Sequence, residues 1–179
     1  MFRLVRDDVR VADPQNPGLF VKTGQQRTEG VELGLQGEVT HNWQVYGSYA
    51  YLDGRITGPI NSGTAATVAS IIPAGRKIGL VPANTLSLWN KFNLGTALGA
   101  GLGVIYQSDS YTSFNNTVRL PAFKRVDGAL YYTLAGGKTR LALNVANLFD
   151  KKYFPTVDGD NNISPGAPRN ARLTLTTAF

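Results

Sequence analysis

The sequence predicts an all-β fold, an antiparallel barrel wall that crosses a membrane with strands. Apolar and polar residues alternate with a period of two in five clear segments, which is typical of strands with one apolar face. Most segments run about ten residues, the length that crosses a bilayer when tilted, whereas strands of soluble sandwiches usually run about five or six. Short and long connections also alternate, as in barrels with short periplasmic turns and long extracellular loops.

The first half of the chain contains four of about eight predicted strands. A weak pattern covers 4–11, and the clearest one covers 31–39, where odd positions are apolar or glycine and most even positions are polar. The segment 43–51 places its Trp, Val and two Tyr residues on one face, and 85–92 is a weaker version of the same pattern. These four segments predict consecutive strands of one sheet.

The second half contains the other four strands. Apolar residues alternate with glycines in 98–107, and we expect those glycines to leave space on the inner wall. A weak pattern at 126–134 is followed by clear ones at 141–145 and 171–179. Turns are predicted at 40–42, 94–97 and 135–138, and polar loops of about 25, 13 and 18 residues at 58–82, 109–121 and 150–167.

Composition excludes several classes of function. The 179 residues include no Cys and one His, which excludes disulfides, thiolate chemistry and His-rich metal clusters and makes a hydrolytic triad improbable. The net charge of +6 is scattered, so no arm for nucleic acid is predicted. No apolar run is long enough for a transmembrane helix. Asp7 and Asp8 stand where the apolar core of a signal peptide would lie, so no export signal is expected within the chain. No catalytic constellation is present, and the sequence predicts a protein that is not an enzyme.

Four segments resemble the barrel of TonB-dependent siderophore receptors. Residues 24–33 (GQQRTEGVEL) are similar to that family's G-x-x-R-S-x-G-V-E-L strand, and 42–53 to the strand that follows it. Residues 147–153 match its N-L-F-D-K-x-Y segment, and 166–173 match its closing G-x-P-R-x-x-R-L segment. The resemblance implies a 22-stranded barrel of the bacterial outer membrane, closed by an N-terminal plug, that takes up ferric siderophores with energy relayed by TonB.

Length then limits what the chain can be. Twenty-two strands of about ten residues need roughly 220 residues before any loop is counted. With about eight strands, residues 1–179 are expected to form the C-terminal part of such a barrel, without the plug, and TonB would act through the missing N-terminal part. The alternatives are a self-contained eight-stranded outer-membrane barrel with a structural or adhesive role, a truncated and non-functional product, and, last, a soluble β-sandwich.

Polar residues of the strands are expected to line the lumen. They could form a charge network there, although solvation by luminal water explains them more simply. The residues assigned to the luminal wall are Arg27, Glu29, Glu32, Arg140 and Arg172.

Ligand contacts are expected in the long loops. The resemblance implies no cofactor, only a ferric siderophore as the transported ligand, whose iron is already fully coordinated. The receptor therefore needs aromatic surfaces and charged or polar donors rather than metal ligands. Solvation is the more ordinary role for each candidate. The candidates are Arg76, Lys77, Tyr111, Phe114, Asn115 and Arg119.

Two further segments have expected roles. The run Asn147 to Asp150 is predicted to end a strand, with Phe149 continuing its lipid-facing row. The last strand, with Leu173, Leu175 and the terminal Phe179, resembles the signal read by the outer-membrane assembly machinery, although an ordinary edge strand is the alternative. Lipid and lipopolysaccharide are the remaining expected partners.

Overall fold

A computed structural model describes residues 1–12, 20–62 and 70–178. All regular structure in these residues is β. The strands are β1 (Phe2–Ala12), β2 (Phe20–Thr40), β3 (Trp43–Gly58), β4 (Ile60–Ser62), β5 (Ser70–Ile72), β6 (Asn84–Leu94), β7 (Leu98–Gln107), β8 (Ser110–Tyr111), β9 (Arg119–Leu120), β10 (Phe123–Thr133), β11 (Thr139–Ala146), β12 (Thr156–Val157), β13 (Ile163–Ser164) and β14 (Asn170–Thr177). Among the described residues, none belongs to a helix that is long and apolar enough to cross a membrane.

Eight of these strands form one antiparallel sheet, which confirms the predicted all-β fold and strand number. Their order is β1-β2-β3-β6-β7-β10-β11-β14, so every strand lies beside its neighbour in sequence. The other strands pair as the small hairpins β4–β5, β8–β9 and β12–β13 within the long connections. The sequence did not predict these hairpins, because their two- and three-residue strands are too short to show an alternating pattern.

Two strands are longer than the sequence predicted. β2 has 21 residues and β3 has 16, and they stay paired from the Thr40–Trp43 turn to Gln25 and Gly58. The apolar alternation marks only the part of β2 that starts near Val31. Beyond that point β2 carries mostly charged and polar residues, and β3 contributes Ile56, which packs in a buried cluster. Side chains also join the two strands there, since Thr57 donates a hydrogen bond to Gln25 (2.7 Å).

The register separates an apolar face from a polar face. Leu35 is opposite Gly47, which is opposite Leu88, and Leu143 is opposite both Leu130 and Leu173. Directly opposed residues point to the same side of a sheet, so these side chains form continuous rows. The rows are not covered: Leu173, for example, is 69% exposed. An uncovered apolar face on a polar-lined wall is the arrangement of a barrel whose outside contacts lipid, and we call it the outward face.

Glycines in β7 allow a large side chain to lie against the polar face. A Cβ added at Gly101 or Gly103 would collide with the ring of Trp89 on β6. The expectation that these glycines leave space is confirmed, and the space is filled by an indole.

Several buried apolar residues lie in the long connections or next to them, although Val45, Phe123 and Ala129 are buried within strands of the sheet. Ile56, Ile60 and Ile72 form a cluster at the end of β3 and in the hairpin β4–β5. Leu120 and Val157, in two other connections, are also buried. Packing within the described residues therefore helps to order the long connections.

Candidate ligand-binding site at the loop end

The long connections lie at one edge of the sheet. Because neighbouring strands are antiparallel, the connections after β3, β7 and β11 all lie at the edge that we call the loop end. The short turns 41–42, 95–97 and 134–138 lie at the opposite edge, the turn end. The alternation of short and long connections predicted this asymmetry, and it is confirmed.

Residues 76–80 and 111–117 bind each other through a double hydrogen bond. The backbone N–H of Lys77 donates to Oδ1 of Asn116 (2.8 Å), and Nδ2 of Asn116 donates back to the carbonyl of Lys77 (2.9 Å). The backbone N–H of Leu80 also donates to the carbonyl of Tyr111 (2.7 Å). Asn116 has a φ of 53°, a left-handed conformation that asparagine tolerates better than most residues. Candidate residues from two separate loops are thereby brought together.

Arg76 and Asn115 are in direct contact. Nη1 of Arg76 donates a hydrogen bond to the backbone carbonyl of Asn115, whose own side chain stays exposed. Arg76 therefore helps to join the two loops, and the amide of Asn115 remains available to solvent.

Arg119 and Tyr111 form a partly exposed cation–aromatic pair. The guanidinium carbon lies 4.8 Å from the centre of the Tyr111 ring, and Nη1 lies 3.1 Å from Oδ2 of Asp109. The carboxylate holds the guanidinium over the ring without covering it. A planar cation beside an aromatic ring can contact anionic or aromatic groups.

Phe114 is half-buried and packs against the isoleucine cluster of Ile56, Ile60 and Ile72. This contact holds 111–117 on the loop that leaves β3. Phe114 therefore has a packing role whether or not a ligand reaches its exposed edge.

Asp160 connects the third long connection to the second. Its Oδ1 accepts a hydrogen bond from Oγ1 of Thr112 (2.5 Å), and its Oδ2 accepts a longer one from Thr117 (3.5 Å). These hydroxyl donors, Thr112 first, lower the pKa of the Asp160 carboxyl because they stabilise its charged form. The sequence did not single out Asp160 as a functional residue, because the contact depends on a residue 48 positions away.

Asn147 is the buried residue on which the end of β11 depends. Its side chain is 1% exposed, accepts from the backbone N–H of Lys151 (2.8 Å) and donates to the carbonyls of Lys151 (2.9 Å) and Ala167 (3.1 Å). Its φ of 54° is left-handed, and its backbone carbonyl accepts a hydrogen bond from the N–H of Asp150 (2.9 Å), which closes a turn after the strand. These contacts explain Asn147 as a strand-ending residue, as the sequence predicted.

An arginine network lies beneath the loop end on the polar face. Nη2 of Arg125 is 2.8 Å from Oδ2 of Asp127, and Nη1 donates to the hydroxyl of Tyr153 (2.9 Å). The ring of Tyr153 packs on Phe123 with 4.7 Å between ring centres. The sequence analysis missed this group, because its members lie on β10 and in the loop that follows β11, and only pairing brings those segments together.

Three of the predicted luminal residues lie on the polar face. Glu32, Arg140 and Arg172 share this face by the strand register. Arg140 lies over the ring of Tyr131 (4.3 Å to its centre), and together with Lys91 these residues line a cavity of about 360 Å³ at the turn end. Two cations, Lys91 and Arg140, therefore line this cavity.

Two of the predicted luminal residues lie on the other face, and that part of the prediction is wrong. Arg27 and Glu29 lie four and two positions before Val31 within one regular stretch of β2. Side chains two positions apart in a strand point to the same side, so both residues share the outward face with Val31. Both residues lie above the apolar rows of the outward face. There Nε of Arg27 is 3.6 Å from Oε2 of Glu29, and Nε of Arg3 is 3.5 Å from Oε1 of Glu29. Glu32 points to the opposite side, so these charges cannot form one network.

The predicted assembly signal falls partly outside the described residues. Leu173 and Leu175 lie exposed on the outward face of β14, and Phe179 is outside the described residues. In the described stretches 1–12, 20–62 and 70–178, no three His, Asp or Glu side chains come together to hold a metal ion.

Comparison with known proteins gives consistent matches. A family model described as "TonB dependent receptor-like, beta-barrel" matches residues 1–148. The metal-pseudopaline receptor CntO of Pseudomonas aeruginosa is 33% identical over 183 residues, covering 99% of this chain and 24% of the relative. The catecholate siderophore receptor Fiu of Escherichia coli K12 is 28% identical over 182 residues, covering 98% of this chain and 23% of the relative.

A solved structure agrees with these matches. The siderophore receptor PiuA from Acinetobacter baumannii superposes with a TM-score of 0.86 at 27% identity, covering 98% of this chain and 25% of that one. The chain thus spans about a quarter of the length of the relatives it matches.

Proposed function

The chain belongs to the family of TonB-dependent receptor-like β-barrels, and from this premise we propose that it contributes to the uptake of a ferric siderophore, energised through TonB. The family consists of receptors and transporters rather than enzymes, and its members lie in the outer membrane of Gram-negative bacteria, where this chain also belongs. The substrate and the TonB partner are parts of the proposal.

The observation that carries the proposal is the meeting of two loops at the loop end. Contacts of Lys77 with Asn116 and of Arg76 with Asn115 fix the loop after β3 against the loop after β7. Beside them, Arg119 and Tyr111 present a cation and a ring that are only partly covered. A chelate with fully coordinated iron needs such a surface, and it does not need protein metal ligands.

We assign two roles to the candidate residues, ligand contact and positioning of the loops. Arg119, Tyr111 and the exposed amide of Asn115 would contact the siderophore, while Lys77, Arg76 and Phe114 hold the loops in place. Glu32, Arg140 and Arg172 would line the path through the lumen. The outer-membrane assembly machinery is a further proposed partner, through the alternating residues of β14.

The open sheet favours a part of a larger barrel over a closed one of eight strands. In the described residues, β1 pairs only with β2, and β14 pairs only with β11. Closure of eight strands would require β1 and β14 to pair, because a barrel has no free edge. We therefore propose that residues 1–179 work as the C-terminal portion of a larger receptor barrel, and nothing favours a separate adhesive role.

Uptake of radioactive iron tests the proposal. The complete gene product that contains these residues would be produced in bacteria that lack their own siderophore receptors, and supplied with ferric catecholate or ferric hydroxamate chelates. We expect uptake of one class of chelate, with no uptake in a strain that lacks TonB. Failure to take up either class, or uptake that does not need TonB, would contradict the proposal.

A substitution then tests the assigned surface. Arg119→Gln removes the cation beside Tyr111, and we expect the apparent affinity for the chelate to fall roughly threefold to tenfold, the usual value of one cation–aromatic contact. Lys138→Gln is the matched control, because Lys138 is exposed in a turn at the opposite end. Equal affinities for the two variants would remove Arg119 from the site.

A further inference from the structure

The cavity at the turn end of the polar face, which we call the turn-end cavity, is built around a glycine. Gly99 on β7 is opposite Asn93 on β6 and Tyr131 on β10. Directly opposed residues point to the same side of a sheet, so the side chains of Asn93 and Tyr131 stand on either side of a position that has none. A Cβ added at Gly99 would lie 3.5 Å from the ring of Tyr131 and would begin to fill this space.

Two cations line the turn-end cavity. The guanidinium carbon of Arg140 lies 4.3 Å from the centre of the Tyr131 ring, and Arg140 is exposed, so the face of the guanidinium that is turned away from the ring is open to the lumen. Lys91 is half-buried, and its ammonium donates a hydrogen bond to Oε1 of Gln44 (3.4 Å). The cavity therefore offers a planar cation backed by an aromatic ring and, beside it, a second positive charge.

These two charges have no acidic partner in the stretches that the structure describes. Neither Lys91 nor Arg140 is within ion-pair distance of a carboxylate there, and none of the described residues that line the cavity is acidic. The amide of Gln44 separates Lys91 from Glu38, because Gln44 donates to Oε1 of Glu38 (2.9 Å) and accepts from Lys91. Two like charges beside one cavity, without a counter-charge, favour the entry of an anion.

The size of the cavity limits what can enter. Its volume of about 360 Å³ is near the lower end of the range for ligand pockets, about 300–1,000 Å³. It can therefore take one arm of a bulky chelate, while the rest of the chelate stays in the lumen. The open face of Arg140 favours a planar aromatic arm, since a guanidinium stacks on rings.

We propose that the turn-end cavity is a second binding site for the transported chelate, and that this chelate is anionic and of the catecholate class. One catecholate arm stacks on the open face of Arg140, with Tyr131 behind it, and Lys91 binds the oxygen anions of that arm. A ferric tris-catecholate carries a net negative charge, whereas a ferric tris-hydroxamate is uncharged, so the two cations select the former. The inference rests on the proposed function, because it concerns the same ligand at the other end of the lumen.

Equilibrium binding of radioactive ferric chelates to the purified complete gene product tests the proposal. The anionic probe is a synthetic tripodal tris-catecholate chelate of iron, and the uncharged probe is its tris-hydroxamate counterpart. We expect two classes of site for the anionic probe. The double variant Lys91→Gln and Arg140→Gln should weaken the second class roughly tenfold, about threefold for each partly exposed cation.

Three further arms assign the second class to the turn-end cavity. Lys138→Gln is the matched control, because this exposed lysine lies at the same end and does not line the cavity, and it should leave both classes unchanged. Lys91→Arg keeps the charge and should keep the second class. Arg119→Gln should weaken the first class only, since Arg119 lies at the loop end.

Several outcomes would overturn the inference. One is a single class of site for the anionic probe, as expected if a carboxylate from another part of the protein filled the cavity. Another is a second class that the double variant leaves unchanged, or one that binds both probes equally. TonB-dependent uptake of the uncharged chelate alone would also overturn it and leave the proposed function intact, whereas absence of all TonB-dependent uptake would contradict the proposed function itself.

Discussion

Replacing Asn147 by alanine should open the connection that follows β11. The change removes all three side-chain hydrogen bonds of a residue that is 1% exposed. Each net hydrogen bond is worth about 1 kcal/mol, and alanine at a φ of 54° costs about 1 kcal/mol more than asparagine, which tolerates the left-handed region. We therefore expect about 3–5 kcal/mol to be lost from the free energy that keeps this segment closed.

Native-state hydrogen exchange measures this loss directly. The backbone N–H of Lys151 donates to the side chain of Asn147, so its protection factor reports the local opening. A loss of about 3 kcal/mol would lower that protection factor by about a hundredfold or more. Protection of the amides in β2 and β3, which lie away from the change, should stay the same.

A glycine variant separates the two contributions. Asn147→Gly loses the same hydrogen bonds but carries no strain at positive φ, so it should be less damaging than alanine by up to about 1 kcal/mol. Asn161→Ala, an exposed asparagine in the same connection, is the control and should have no effect. A decrease of less than about threefold in Lys151 protection for Asn147→Ala would refute the argument that these bonds hold the loop.

The other two predictions concern the wall and the loop end. Gly103→Ala places a Cβ against the ring of Trp89, so we expect about 1–3 kcal/mol of destabilisation on urea unfolding, together with altered tryptophan fluorescence. Asp160 has a pKa below that of an unfolded aspartate, because Thr112 donates a hydrogen bond to its charged form. The charged carboxylate therefore stabilises the loop end completely at any pH above the pKa of the unfolded state. This stabilisation is lost as the pH falls through the pKa of the folded state. Amide protection of Thr112, corrected for intrinsic rate, should therefore be constant from pH 7 to about pH 5 and fall below about pH 4.

Each of these two predictions has a control within the chain. A Cβ at Gly34 meets no atom within 4 Å, so Gly34→Ala should leave stability and fluorescence unchanged. Asp160→Asn should abolish the acid-dependent loss of protection at Thr112, while Asp158→Asn should retain it. A Gly103→Ala variant as stable as Gly34→Ala, or a Thr112 profile unaltered by Asp160→Asn, would contradict the respective argument.

The strands were predictable because each carries its own signal. The alternation around Leu33 and Leu143 depends only on neighbours two residues away, and an uncovered apolar face has to alternate with a polar one. The same period also exposes the error at Arg27 and Glu29, which are an odd number of residues from Glu32 and therefore cannot share its face. Counting positions along β2 would have found it.

The candidate site was predictable only as a set of loop residues. The charge of Arg119 and the aromatic ring of Tyr111 suggested that these residues contact a ligand. Residue chemistry alone does not show which loop residues lie in contact with each other. The role of Phe114 against the isoleucine cluster, and that of Arg76 against Asn115, depend on partners 39 or more positions away or in another loop.

The amino-acid sequence by itself determined that the chain forms about eight long antiparallel strands, which residues alternate between the faces, and which connections are long. These properties follow from local chemistry, since a period of two and a tight turn need only adjacent residues. Only the tertiary structure decided which loops join, that Asn116 bonds to the backbone of Lys77, and that Asp160 reaches Thr112. Those contacts arise because strand pairing brings together segments that are far apart in sequence, and no local pattern encodes that distance.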